Sequence, residues 1–231
     1  MKFLTSFLAA VLFTVAVSAQ TVDEIIGKHI DAIGGKDKIA QLKSVSQEST
    51  TEIMGNSTTV KEILVIGQGY KTETEFNGSK IISCLTDKGG WMINPMAGGA
   101  NAQAMPDEAY QNSKSVIYFE GGLTDYAAKG LKAELQGTEE GSYKIKISGG
   151  VEVFYFIDTK SFNLVKVIAK GEMMGQQIDI TTTFSDFKKT DLGVVLPYTK
   201  DINMGMFQMT QKTSKLEVNK DIDPKTFEMP K

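Results

Sequence analysis

The stretch "VSAQTVDEIIGKHIDAIGGKDKIAQLKSV" (Val17 to Val45) decides how the rest of the chain is read. Thr21 followed three residues later by Glu24 is a capping-box signature for a helix start. Val22, Ile25, Ile26, Ile30 and Ile33 then recur at helical spacing and form one apolar stripe, while Asp23, Lys28 and Asp31 fall outside it. Gly34-Gly35 supplies the left-handed stop, and Asp37 to Leu42 adds a short second helix that turns Ile39 and Leu42 inward. A helix with one apolar stripe and no catalytic group must cover something.

Upstream of it lies a targeting segment. Lys2 provides the positive start, Phe3 to Val17 is almost wholly apolar, and Val17-Ser18-Ala19 carries small residues where a signal peptidase reads. The apolar run falls short of the about 20 residues a membrane span needs. Residues 1–19 are therefore expected to be a signal peptide cleaved after Ala19, giving an exported protein with no stable membrane insertion. Gln20 stands where a lipidated Cys would be, so the chain is not expected to be a lipoprotein itself.

About 210 of the 231 residues follow the cleavage site, enough for a single domain over 20–231 with a sizeable core. The net charge of -3 gives no bulk attraction to nucleic acid. All 25 basic residues are Lys, so an Arg clamp for phosphate or carboxylate is excluded. Cys84 is the one cysteine, and no internal disulfide can form.

From Ser44 onward the pattern is that of strands. Ser44–Ile53, Ser57–Ile66, Tyr70–Phe76 and Lys80–Thr86 are rich in Thr, Val, Ile and aromatics and are bounded by turn residues, Asn77-Gly78 among them. Seven more are expected downstream: Leu131–Glu139, Tyr143–Ser148, Val151–Asp158, Leu164–Met173, Gln176–Phe184, Val194–Tyr198 and Phe207–Val218. Between the two groups, Trp91 to Gly130 is rich in Gly, Ala, Asn and Pro. It reads as a cover carrying one helix near Asp107 to Ser115 and a shorter one near Thr124 to Lys129. Some eleven antiparallel strands in simple sequence order predict one long meander that curls. The fold class is expected to be mainly β with helices (α+β): a large curved antiparallel sheet, its concave side covered by the N-terminal helix and the inserted middle helices.

The chemistry-bearing residues are sparse. His29, the one histidine, lies at the edge of the helical stripe and reads as a packed residue. Cys84 sits mid-strand as a buried, inert thiol. The ligands for a usual zinc site are missing, no glycine loop of the phosphate-binding kind follows a strand, and no catalytic residues, metal or cofactor are expected. A hydrolase built only on carboxylates from different strands stays open at this level. Methionine clusters instead: Met92, Met96 and Met105 flank the middle helix, while Met173, Met174, Met204, Met206 and Met209 sit near two later turns. Met suits a surface that fits varied apolar partners, and it equally suits ordinary core filling.

Six segments together resemble the LolA-like family of periplasmic proteins, in its outer-membrane lipoprotein-sorting branch. These are "HIDAIGGKDKIAQLKSV", "GGWMINPMAGGANAQAMPDEA", "LTDYAAKGLKAELQGTEEGSYKIKI", "FYFIDTKSFNLVKV", "FSDFKKTDLGVVLPYT" and "NKDIDPKTFEMP", which occur in that order over nearly all of the chain after Ala19. The resemblance implies a half-open antiparallel barrel plugged by helices, and a non-catalytic carrier of lipoprotein acyl chains or other lipids. Envelope lipoprotein-transport proteins are the partners it implies. The studied carrier latches its lid through an Arg on a strand, and this chain has none. A more weakly latched lid is therefore expected over Trp91 to Phe119, hinged at Asn94-Pro95 and Gly98-Gly99. The alternative is a non-catalytic envelope interaction or sensing module whose concavity is filled by its own helices.

The residues expected to line a hydrophobic cavity are Trp91, Met92, Met96, Met105, Val116, Ile117 and Phe119 from the cover. Tyr155, Ile157, Ile178, Ile180 and Met206 come from the sheet. Alternation puts Ile178 and Ile180 opposite Asp179, which makes theirs the concave face; for Val153, Tyr155 and Ile157 both faces are apolar and the inward one stays open.

Overall fold

Thirteen antiparallel strands form one sheet in the computed structural model, which describes residues 20–230 apart from 54–55, 77, 96–98, 174–175 and 206. Two helices come first, α1 (Val22–Ala32) and α2 (Lys36–Gln41). The strands are β1 (Ser44–Ile53), β2 (Asn56–Val65), β3 (Gly69–Phe76), β4 (Ser79–Thr86), β5 (Gly90–Asn94) and β6 (Gly99–Ala104). After a helical insertion follow β7 (Lys132–Glu139), β8 (Ser142–Ser148), β9 (Val153–Asp158), β10 (Leu164–Met173), β11 (Gln176–Lys189), β12 (Val195–Met204) and β13 (Phe207–Val218). The insertion comprises α3 (Asp107–Ser113) and two 3-10 segments, Lys114–Ile117 and Phe119–Lys129.

The spatial order is β6-β5-β4-β3-β2-β1-β13-β12-β11-β10-β9-β8-β7. The chain enters at the middle of the sheet and meanders out to the β6 edge. It crosses over through the helical insertion to β7 and meanders back until β13 pairs with β1. The expected single meander is thus two, welded at β1 and β13. The β6 and β7 edges do not pair, so the barrel stays open.

Two strands replace what the sequence presented as irregular cover. Gly90–Asn94 pairs with β4 on one side and with Gly99–Ala104 on the other, so Trp91 and Met92 belong to the sheet. Gly and Ala are poor strand formers, and here pairing on both sides of β5 overrides their propensity. The helical insertion over the sheet begins only after Ala104, whereas the lid is expected to begin at Trp91. Its proposed second hinge includes Gly98, which lies outside the described residues, as do residues 1–19.

The capping box at Thr21 and Glu24 forms as expected, with each side chain bonded to the other's backbone N–H. The α1 stripe then packs on the concave face: Ile25, Ile26 and Ile30 bury against Ile145 and Ile147 of β8 and Val153, Tyr155 and Ile157 of β9. This settles the face left open by alternation. Phe154 and Phe156 point the other way, under the ammonium groups of Lys144 and Lys166. Phe156 is nonetheless fully buried, because long Lys stems lie over its ring.

A second cluster joins Ile33 and Leu42 to Phe119, Val194 and Leu196. Here Gly34, at φ 129°, brings the chain so close to the β11–β12 turn that a Cβ would stand 2.7 Å from the Gly193 carbonyl oxygen. Gly34→Ala is expected to cost about 2 kcal/mol, read as a lower urea midpoint, from strain and steric conflict together. A third cluster lies on the outer face: Ile82, Cys84 and Trp91 bury against Phe227 of the C-terminal 3-10 turn Pro224–Phe227.

Candidate functional site

Between α1, the insertion and the sheet a cavity of about 470 Å3 remains. Its apolar wall comes from inward positions of β9 to β11: Val153, Tyr155, Leu164, Val167, Ala169, Ile180 and Phe184. The register explains the convergence, since Val153 faces Ala169, Tyr155 faces Val167, and Ala169 faces Ile180 across three adjacent strands. Its cover is the end of α3 and the following turns, with Val116, Tyr118, Phe119 and Gly121.

One end of the cavity is polar. Glu62 on β2 is 8% exposed and accepts from the Tyr70 hydroxyl at 2.5 Å and from the Lys200 ammonium at 2.7 Å. Burial alone raises the carboxyl pKa, but Lys200 and the two hydrogen bonds outweigh it and hold Glu62 below the usual carboxylate range. Burial and the neighbouring Glu62 charge push the Tyr70 hydroxyl well up, so it donates. Lys200 lies on β12, which is three strands away from β2 in the sheet. On a flat sheet those strands stand about 14 Å apart. The contact closes because curvature makes concave side chains converge.

Beneath that bridge the floor is polar too. The Gln47 amide donates to the hydroxyls of Ser49 and Thr213 at 3.1 and 2.5 Å. Gln211 and Thr51, opposite one another on β13 and β1, are buried with an unpartnered Oε1 and Oγ1.

The cover is tethered. His29 on α1, fully buried, places Nδ1 2.7 Å from the Phe162 carbonyl oxygen and Nε2 2.7 Å from Oε2 of Glu120. Both partners are acceptors, so the ring satisfies them only as imidazolium. Burial depresses its pKa, yet Glu120 and the Phe162 carbonyl outweigh that and raise it. Glu120 opens a run of left-handed residues with Gly121 and Gly122 (φ 49°, 63° and 91°), a turn that aims its carboxylate at α1. The Tyr155 hydroxyl reaches the Gly121 carbonyl at 3.5 Å. The His29–Glu120 contact therefore joins the cover to α1 without an Arg.

Of the expected lining residues, Val116, Phe119, Tyr155 and Ile180 meet at the cavity. Ile178 shares their face of β11, two residues along. Ile117 and Ile157 are buried in packed surroundings at 2% and 0% exposure. Met92 lies on β5, and Met105, just after β6, packs near Gly90. Trp91 faces outward, since it pairs with Cys84 and donates its indole N–H to the Phe227 carbonyl at 2.8 Å. Met96 and Met206 lie outside the described residues. Sequence reasoning missed Glu62, Tyr70 and Lys200. The available signal was alternation: Val60, Glu62 and Leu64 share a face, which puts a carboxylate in an apolar row.

A larger depression of about 770 Å3 lies on the other side, where Thr181 and Thr183 flank the inward Thr182. Its lining mixes Thr side chains, Asp201 and Lys212 with Ile202 and Met209, and is more polar than that of the cavity under the cover. Among the described residues no group of three His, Cys, Asp or Glu is placed to hold a metal ion. No described helix is long and apolar enough to cross a membrane.

No protein-family model matches the sequence, and no curated protein sequence does. Solved structures do. A DUF1329 family protein from Desulfovibrio piger superposes with a TM-score of 0.57 at 11% identity, over 90% of this chain and 97% of that one. A LolA superfamily protein from Nitrosomonas europaea gives 0.56 at 11% identity, over 91% and 98%. A putative outer membrane lipoprotein-sorting protein domain from Vibrio parahaemolyticus gives 0.50 at 15% identity, over 90% and 97%. At such identities the likeness establishes architecture: an open 13-stranded antiparallel sheet with helices on its concave side, which is the LolA-like fold.

Proposed function

We propose that the protein is a non-catalytic binder or carrier of hydrophobic ligands in the periplasm, taking acyl chains such as those of outer-membrane lipoproteins. The observation that carries this reading is the cavity of about 470 Å3, walled by aliphatic and aromatic side chains and roofed by a short helical cover. That volume falls within the range of small-molecule sites, about 300–1,000 Å3. Each CH2 buried there contributes about 0.8 kcal/mol, so an inserted chain binds without any charge contact. The signal-like segment 1–19 and the LolA-like architecture agree with export and with such a role. A concavity filled by the protein's own helices would leave less open volume, so the cavity favours the carrier reading over the sensing module.

Native mass spectrometry of protein purified from the periplasm should recover bound lipid, and the purified protein should take up a fluorescent acyl probe. Repeated recovery of empty protein together with no probe uptake would sink the reading. Ile180→Asp puts a carboxylate in the apolar wall. Because Ile180 is only partly buried, the domain should fold while probe affinity drops at least tenfold, measured by fluorescence titration. Wild-type affinity in that variant would show that ligand does not touch β11.

A further inference from the structure

We propose that Lys200 is the docking point for the polar end of the ligand, and that this end is an uncharged acyl carbonyl, an ester or an amide. The inference rests on the reading of the cavity as an acyl-chain site.

Lys200 lines the polar end of the cavity, and its ammonium donates to Glu62 alone among the described residues. An ammonium has three N–H groups, so two remain for an acceptor delivered into the cavity. The other lysine at the cavity, Lys170, is half exposed and already paired with Asp179 at 2.6 Å. A buried ion pair adds little stability over apolar side chains of the same shape. Its presence at one end of an apolar pocket therefore points to recognition.

Charge decides the class of head group. Glu62 and Lys200 sum to zero, and Glu62 is held ionised by Lys200 and Tyr70. A free carboxylate entering beside them would leave one uncompensated negative charge in a low-dielectric pocket, which is costly. An ester or amide carbonyl accepts from Lys200 without adding charge. Gln211, directly across from Lys200 on β13, is buried with its Oε1 unpartnered. Gln211 does not line the cavity, so it does not choose between an ester and an amide.

The test is displacement of a bound fluorescent acyl probe by four compounds of matched length: methyl dodecanoate, N-methyldodecanamide, dodecanoate and tridecane. Wild-type protein should bind the ester and the amide about tenfold more tightly than the alkane, the effect of one hydrogen bond from a charged donor. Dodecanoate should not exceed the ester. In Lys200→Met the advantage over tridecane should vanish. Because that variant leaves Glu62 unpaired, Glu62→Gln/Lys200→Met is tested alongside it, and the same loss is expected there. An ester and amide advantage retained in the double variant, or absent from wild type, overturns the docking role while leaving the acyl-chain reading in place. Failure of wild type to bind any of the four, tridecane included, overturns that reading and the inference with it.

Discussion

Replacing His29 with alanine is expected to lower stability by about 3 kcal/mol and to release the cover. The ring is fully buried and its two nitrogens join α1 to the β9–β10 turn at Phe162 and to the cover at Glu120. Removing it leaves a cavity, an unpaired carboxylate and an unpaired carbonyl at once. The pH dependence follows from the same geometry. The folded-state pKa of His29 is raised above 6.5, so the folded form holds its proton more tightly than the unfolded chain. Its contribution is therefore fully present below 6.5 and is lost as pH rises through the folded-state value. Urea midpoints measured from about pH 5 to about pH 9 should fall for wild type relative to His29→Ala across that window. Amide exchange at Phe119 to Gly122 should quicken over the same range. A wild-type curve parallel to that of the variant would show that the ring is not charged in the folded protein.

That result also bears on how much of the molecule can be read from residues alone. The α1 stripe, the Thr21–Glu24 box and eleven of the strands follow from local periodicity, because each depends on neighbours within a few positions. Which strands adjoin does not. Alternation put Ile180 inward correctly, and it placed Glu62 in the row of Val60 and Leu64. What alternation could not reveal is that β2 and β12 approach each other over β1 and β13, so that Glu62 meets Lys200. The His29–Glu120 pair spans 91 residues and depends on a left-handed Glu, a conformation whose sequence signal is only the following Gly121-Gly122. The expectation of a weak latch rests on the absence of Arg, whereas the contact that joins the cover to α1 is the His29–Glu120 pair.

Trp91 is where local composition misled most, and its replacement is the sharpest check on the corrected picture. A Gly- and Ala-rich stretch around a lone Trp reads as a loop that lays an aromatic anchor into the cavity. Instead Trp91 is 5% exposed on the opposite face of β5, packed with Ile82 and Cys84 under Phe227. Its indole N–H and the Cys84 thiol both point to the Phe227 carbonyl, at 2.8 and 3.5 Å. The C-terminal turn is thereby pinned across β3 to β5, with Gly69 so close that a Cβ there would stand 2.8 Å from the Phe227 ring. Trp91→Ala removes the largest side chain of this cluster and leaves the Phe227 carbonyl without its main donor. A cost of about 4 kcal/mol is expected from the cavity and the lost bond together, read by urea unfolding. Truncation after Asn219 removes the other half of the same contact, so the two changes combined should cost much less than their sum. Neither should alter affinity for an acyl probe at concentrations where the variants remain folded, because the cluster and the cavity lie on opposite faces of the sheet. In hydrogen exchange, Trp91 to Asn94 should be protected like β4 and unaffected by added ligand, while Val116 to Gly121 responds. Probe affinity that falls with Trp91→Ala in the folded protein would return Trp91 to the cavity and make β5 part of a moving cover after all.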